Sequence, residues 1–222
     1  MKAPLAKTQW KLDEFRSLCA KRKIPDSTIF QNSLEWRWRR ADFHAAKATE
    51  VWADLFTKSF KFGDQWYFEH EFTCEAHAEA CVSCLHAMAD VLGQIVNVAI
   101  LGGTFAEDEV SIKRILAALN KHGIAPQVAK KIDQLLSHGS YAYLEAFNNT
   151  IKHRHLLCAQ FRAEYGGTHR NDKGLVFQDF QYKRGSYPRT WLSDITETMR
   201  ADILTLVTDI GLEMTEYVRR LK

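Results

Sequence analysis

The chain has 222 residues, 46% of them hydrophobic and 12% aromatic, with a formal net charge of +3. This is ordinary globular composition, long enough for one large domain or two small ones, and 4 Pro and 11 Gly are too few for a turn-rich sandwich. No uninterrupted apolar run reaches the roughly 18 residues of a bilayer span.

The opening MKAPLAKTQWKLDEF carries no apolar signal-peptide core. Five Cys without framework spacing suit reduced thiols, so a cytoplasmic protein without a membrane partner is expected. Charge is unevenly spread. Residues 1–40 hold 10 Lys and Arg against 4 Asp and Glu, residues 41–151 hold 8 against 14, and residues 152–189 hold 8 against 3. Two basic stretches flanking an acidic middle can meet as a phosphate-binding patch. Charge alone favours two unrelated solvated surfaces.

In chain order, TQWKLDEFRSLCAKRK predicts a helix with Leu12, Phe15 and Leu18 on one side, ending before Pro25. A long helical pattern follows from Asp26 or Ser27 as N-cap to Phe60, broken by FGDQ. A second runs from about Trp66 to Leu101 and stops at Gly102-Gly103. EDEVSIKRILAALNKHG reads as a short helix with acidic residues first and basic ones last, as the helix dipole prefers. Pro126 opens another through His138, and SYAYLEAFNNTIKHRHLLCAQFRAEY reads as one helix up to Gly166-Gly167. GLVFQDFQYKRGSYPR is the only strand signal, a hairpin turning at Lys183–Ser186. A last helix starts near Ser193 or Asp194 and buries Ile195, Met199, Ile203, Leu206, Ile210 and Met214. The expected fold class is all-α: a helical bundle with long antiparallel helices and one small β-hairpin insertion. It is read as a single domain over 1–222, with N-terminal helices 1–62, a bundle core 66–165, a hairpin 174–190 and a C-terminal helix 192–221.

Within residues 74–99, Ser83, His86, Asp90, Gln94 and Asn97 all fall within about 60° of Glu79 at 100° per residue. Apolar residues fill the opposite arc. The plain reading is a solvent face. Yet the stripe holds short hydrogen-bonding side chains, several of them poor helix formers, and no Lys or Arg. A buried polar seam or a cleft wall is an equal alternative. Cys74, His77, Cys81 and Cys84 share a face, and CVSC is a C-x-x-C. Positions strung along three turns do not converge on a tetrahedral ion, so core packing is expected and no metal.

NNTIKHRHLL, residues 148–157, places Lys152, His153, Arg154 and His155 side by side. With Leu144, Phe147, Ile151 and Cys158 taken as the buried side, Lys152 and His153 flank Asn149 on the polar face. Arg154 then points to the interior edge, where an unpaired guanidinium is costly, and Asp90 is its expected partner. A structural ion pair for Arg154 and a surface His153 are the plain readings. A metal-free cut of RNA needs a base for the ribose 2′-OH and cations for the growing charge. His153 is the acid–base candidate, Lys152 and Arg154 bind phosphate, and Asn149 orients substrate or His153.

ACVSCLHAMADVLGQIVN followed by YLEAFNNTIKHRHLL resembles the HEPN superfamily, in particular bacterial HEPN-like proteins with an Asn-x-x-Lys-His-Arg signature, here Asn149, Lys152, His153 and Arg154. The resemblance covers roughly residues 66–165. It implies a helical bundle that usually forms a homodimer and, in many members, a metal-independent endoribonuclease without a cofactor. It also implies a toxin or phage-defence component, with a neutralising partner protein as a further expectation. Active members carry Arg and His four to six residues apart. Here Arg162 and His169 are separated by six, across Gly166-Gly167, and Arg39 and His44 by four. The catalytic expectation is His153, Arg154, Lys152 and Asn149, supported by His86, Asp90, Gln94 and Asn97, with RNA held by Arg162, His169, Lys183 and Arg184. Tyr182, Tyr187 and Trp191 are available for base stacking. The competing hypothesis is a non-catalytic HEPN-like module for dimerisation and protein or nucleotide binding. A histidine-built metal enzyme is a remote third.

Overall fold

The computed structural model describes residues 10–57, 64–163 and 173–221. The chain is mainly α-helical with two small antiparallel sheets. The helices are α1 (Leu12–Lys21), α2 (Thr28–Thr57), α3 (Gln65–Ala99), α4 (Ile112–His122), α5 (Pro126–Ser137), α6 (Gly139–His153) and α7 (Arg200–Arg220). The strands are β1 (Ala159–Ala163), β2 (Lys173–Phe177), β3 (Phe180–Tyr182), β4 (Gly185–Tyr187) and β5 (Thr190–Trp191). Where the sequence suggests one domain, the chain divides into two compact units. The first holds residues up to Trp38, Ala87–Tyr141 and those from Asp202 on; the second holds Arg39–His86 and Ala142–Ala201.

The first unit is a helical assembly with an aliphatic core. Leu34, Leu92, Ile95, Ile115, Ile132 and Ile210 are each almost fully buried. On α1 the buried residues are Phe15 and Cys19; Leu12 and Leu18 are only half-buried. Trp10 closes the core from one side: its indole N–H donates to Thr215 Oγ1 at 3.0 Å, and it lies so close to Gly211 that a Cβ there would collide with the ring. On α7 the buried positions include Ile203, Val207, Ile210, Met214 and Val218; Leu206, and Met199 just before the helix, are half-buried. The acidic Glu107–Glu109 forms a separate 3₁₀ turn instead of opening α4. Ser111 caps α4 by accepting from the Arg114 N–H at 3.3 Å, and Gly123 ends it at φ 63°. That conformation is cheap only for glycine.

The second unit packs α2, α3 and α6 residues against the strands, and its core is aromatic. Phe147 meets Phe177 edge-on at 5.0 Å, and Phe180 stacks on Tyr187 at 5.1 Å. Ala41, Ala45 and Ala48 present a small-residue face on α2, and the Cys74 thiol donates to the Ala48 carbonyl. The hairpin is β3–β4, with Tyr182 opposite Gly185 and Lys183 at φ 53° in the turn. The expected strand over residues 174–177 is present, but as β2 of a separate sheet ordered β1-β2-β5, in which Gln160 lies opposite Val176 and Val176 opposite Trp191. The sequence reading overextends α6, which stops at His153 because residues 159–163 pair as a strand. Ser193 has helical backbone angles and makes no side-chain cap; the helical stretch already includes Leu192 and continues as a π-helical segment, Asp194–Met199, into α7.

Among the described residues α3 is the one helix long and apolar enough to cross a membrane, and 61% of its most apolar 18-residue window is buried. Burial of that degree is the pattern of a core helix.

Candidate functional site

The end of α6 is where the sequence concentrates cationic groups. The N–H groups of Arg154 and His155 both reach the Thr150 carbonyl, at 2.9 and 3.2 Å, closing the helix. Beyond Ile151 the chain is exposed through Leu156, so Lys152, His153, Arg154 and His155 all face solvent. Arg154 therefore does not sit at an interior edge. The helical count that placed it there runs past the end of the helix, and Cys158, assigned to the buried side, is likewise exposed. Nor does Asp90 serve as its counter-charge: Asp90 Oδ1 accepts the Ile112 N–H in the first unit, at 3.3 Å. The Arg154 guanidinium instead lies over the Tyr182 ring, 5.0 Å from its centroid, and Lys183 Nζ lies 5.0 Å from the same centroid. Arg184 is exposed beside it in the turn. An aromatic ring face attracts cations through its quadrupole, by about 0.5–1 kcal/mol per exposed contact. Tyr182 thus has two cations, both at exposed residues, within 5.0 Å of its centroid.

Asn149 donates to the Glu145 carbonyl of its own helix at 2.7 Å, which ties its amide back along α6. The neighbouring Asn148 is the engaged amide, 1% exposed. It accepts from Ser83 Oγ at 2.9 Å, and its Nδ2 lies 3.2 Å from His86 Nδ1. Further along the stripe, Gln94 donates to the Glu107 carbonyl at 2.7 Å. Asn97 makes two bonds to the Phe105 backbone, donating to O at 2.9 Å and accepting from N–H at 3.2 Å. The stripe is a seam of short polar groups satisfying backbone and amides, which explains why long charged residues are absent from it. Arg162 is half-buried on β1, opposite Gly174. His169 lies outside the described residues.

A second histidine pair was not singled out by sequence. His44 Nδ1 and His77 Nδ1 are 2.9 Å apart, so one nitrogen carries a proton that the other accepts. Burial, then the neighbouring His77 and Arg40, hold the His44 imidazole below its usual protonation range. Phe43 packs edge-on to both rings. Cys74, Cys81 and Cys84 are buried, and burial pushes the Cys74 and Cys81 thiols up to about 12, which keeps them protonated. No group of three His, Cys, Asp or Glu among the described residues is arranged to hold a metal ion.

Two adjoining cavities lie in the second unit, of about 100 and 440 Å³. Their walls come from α2, β2, β5, the π-helical segment and Arg200, and include no residue of α6 or of the β3–β4 hairpin. Comparison of the chain with protein-family models, curated proteins and solved structures finds no match.

Proposed function

We propose that the protein binds RNA on the surface formed by the end of α6 and the β3–β4 turn, as an HEPN-like helical bundle. The observation that carries the reading is the cation pair over Tyr182, with Arg154 and Lys183 each 5.0 Å from the ring and Lys152, His153, His155 and Arg184 exposed around them. Single-stranded RNA is held by cations tracking its phosphates and by rings on which bases stack. This surface offers the cations, with the planar guanidinium of Arg154 as a stacking platform, and it lies in a segment, residues 152–189, of strongly positive balance. Homodimerisation is part of the proposal. Ile29 and Trp36 on α2 are exposed at 70 and 61% and lie seven residues apart, the spacing of a helix–helix seam. Mass measurement by light scattering tests it, and a monomer for the wild-type chain would reject it.

The second reading is metal-independent cleavage at the same surface. What favours it is two imidazoles, His153 and His155, flanking Arg154 in the exposed segment. One would take the 2′-OH proton while the oxygen attacks the adjacent phosphorus. The other would protonate the departing 5′-oxygen, leaving a cyclic phosphate, while Arg154 and Lys152 hold the phosphoryl charge. Incubating labelled RNA with the protein and a chelator separates the readings. Cleavage abolished by H153A supports the nuclease; retention of RNA without cleavage supports binding alone; neither rejects both. A toxin or defence role and a neutralising partner are supported by the HEPN resemblance alone.

A further inference from the structure

The two cavities of the second unit share three lining residues, Thr49, Thr196 and Glu197. The smaller is walled by two indoles, Trp52 and Trp191. Gly174 lies against both: a Cβ there would come within 3.1 Å of Trp191 Cε3 and 3.8 Å of Trp52 Cζ2. Any side chain on Gly174 would therefore crowd the space between the rings. The larger cavity is lined by three carboxylates, Asp42, Glu50 and Glu197, against one cation, Arg200. Asp42 is paired with Arg200, and Glu50 with Lys47 at 2.6 Å. Glu197 forms no ion pair among the described residues, and it stands where the two cavities join. Both Thr196 and Glu197 belong to the π-helical segment Asp194–Met199. π-Helical turns inserted in helices are rare and concentrate at functional sites.

From these observations we propose a binding site for a linear aliphatic polyamine. One ammonium end enters the chamber lined by the two indoles, the ring type that attracts a cation most strongly, and is countered by Glu197. The methylene chain then passes along Ala45, Ala46 and Ala53 in the larger cavity, and a second ammonium reaches Glu50 in exchange for its Lys47 partner, while Asp42 stays paired with Arg200. The size of the indole chamber argues for an ammonium end over a nucleobase. An apolar cavity of roughly 150 Å³ holds benzene, and this one is smaller, about 100 Å³. Beyond the rings the lining combines the methyl groups of Ala45, Ala46 and Ala53 with the carboxylates of Asp42 and Glu50, which suits a methylene chain ending in a second ammonium. The site is separate from the RNA surface, and its test is independent of that reading.

Isothermal titration of the RNA-free protein with putrescine, spermidine and tetramethylammonium, with 1,4-butanediol as the uncharged control, tests the proposal. Tryptophan fluorescence provides a parallel readout. Saturable one-to-one binding is expected, tighter for spermidine than for tetramethylammonium and undetectable for butanediol up to about 10 mM. E197Q, at an exposed position, should weaken spermidine about tenfold, the size of one lost charge contact, with an unchanged thermal melt showing that the fold is kept. G174A and W191L should weaken every ammonium probe, and R154A should leave them unchanged. Four results would each overturn the proposal. The first is no saturable heat from any amine, and the second is equal binding of butanediol. The third is spermidine affinity untouched by both E197Q and G174A, which would place the amine on general acidic surface. Tighter binding of a trimethyllysine peptide than of spermidine would also overturn it, in favour of a peptide reader.

Discussion

The two units use the same helices for different ends. In the first, the polar side chains of α3 are spent on backbone: Asp90, Gln94 and Asn97 hold the Ile112, Glu107 and Phe105 peptide groups. Its core is mostly aliphatic, with Trp10 and Phe15 meeting edge-on at one side. In the second, the same helix supplies Ser83 and His86 to a buried amide and His77 to an imidazole pair. Burial also pushes the Glu75 and Glu79 carboxyls up, and the core there is aromatic with cavities beside it. One amphipathic helix can thus be a purely structural strut along part of its length and a carrier of titratable chemistry along the rest. The partners decide which, and they come from distant sequence.

The largest effect that would sharpen this contrast is expected in the first unit. Gly211→Ala puts a Cβ into the Trp10 indole and threatens its bond to Thr215. Overpacking of this kind costs about 1–3 kcal/mol, and in a chain this size each kcal/mol lowers the melting temperature by roughly 2–4 °C. Thermal melts followed by circular dichroism should show that drop. An unchanged melt would mean Trp10 does not seal the core. Next in size is Asn97→Ala. It strips both partners from the Phe105 peptide and should cost about 1–3 kcal/mol without altering RNA binding. A loss of RNA binding with intact stability would move the stripe from strut to site.

The second unit should instead answer to pH. The folded protein holds His44 below its ordinary value of 6.5, so the unfolded chain binds that proton more readily. This part of the stability is full above 6.5 and is lost as pH falls through the lowered value. His77→Gln removes the neighbouring imidazole but not the burial, and should reduce the acid sensitivity in part. Glu75 has the opposite sign. Burial is its largest influence and raises it above 4.5, outweighing the opposing Ala159 N–H bond. Its contribution is full below 4.5 and is lost as pH rises through the raised value. Glu75→Gln keeps an acceptor for that N–H and should remove this loss. Denaturant titrations from pH 4 to 8 read both slopes, and a wild-type curve flat across that range would contradict both assignments.

Much of the helical frame was legible because its signals are local. Gly102-Gly103 end α3, Gly123 ends α4 and Pro126 opens α5, each through its own backbone chemistry. The polar stripe was visible as a face, because helical spacing alone defines it. What escaped depends on partners far away. Residues 159–163 look like the tail of a helix, and only pairing with β2 makes them a strand. Without that pairing the count on α6 ran too far and turned Arg154 inward. The choice between Asn148 and Asn149 rests on where Ser83 and His86 lie. The π-helical segment is hidden because its apolar pattern is read at a 3.6-residue period. Trp52, Gly174 and Trp191 come from three separate parts of the chain, and nothing in their local sequence marks them as one cavity wall.

The central claim is that the α6 terminus and hairpin turn form an RNA surface, and salt dependence tests it most directly. The affinity of the wild-type protein for a single-stranded RNA, measured by fluorescence anisotropy across a salt series, should fall steeply with salt. Replacing Arg154 and Lys183 by Ala should weaken binding at every salt concentration and reduce the log–log slope by about 1.4, the share of two single-strand phosphate contacts. A double variant whose affinity and slope match the wild type would contradict the account.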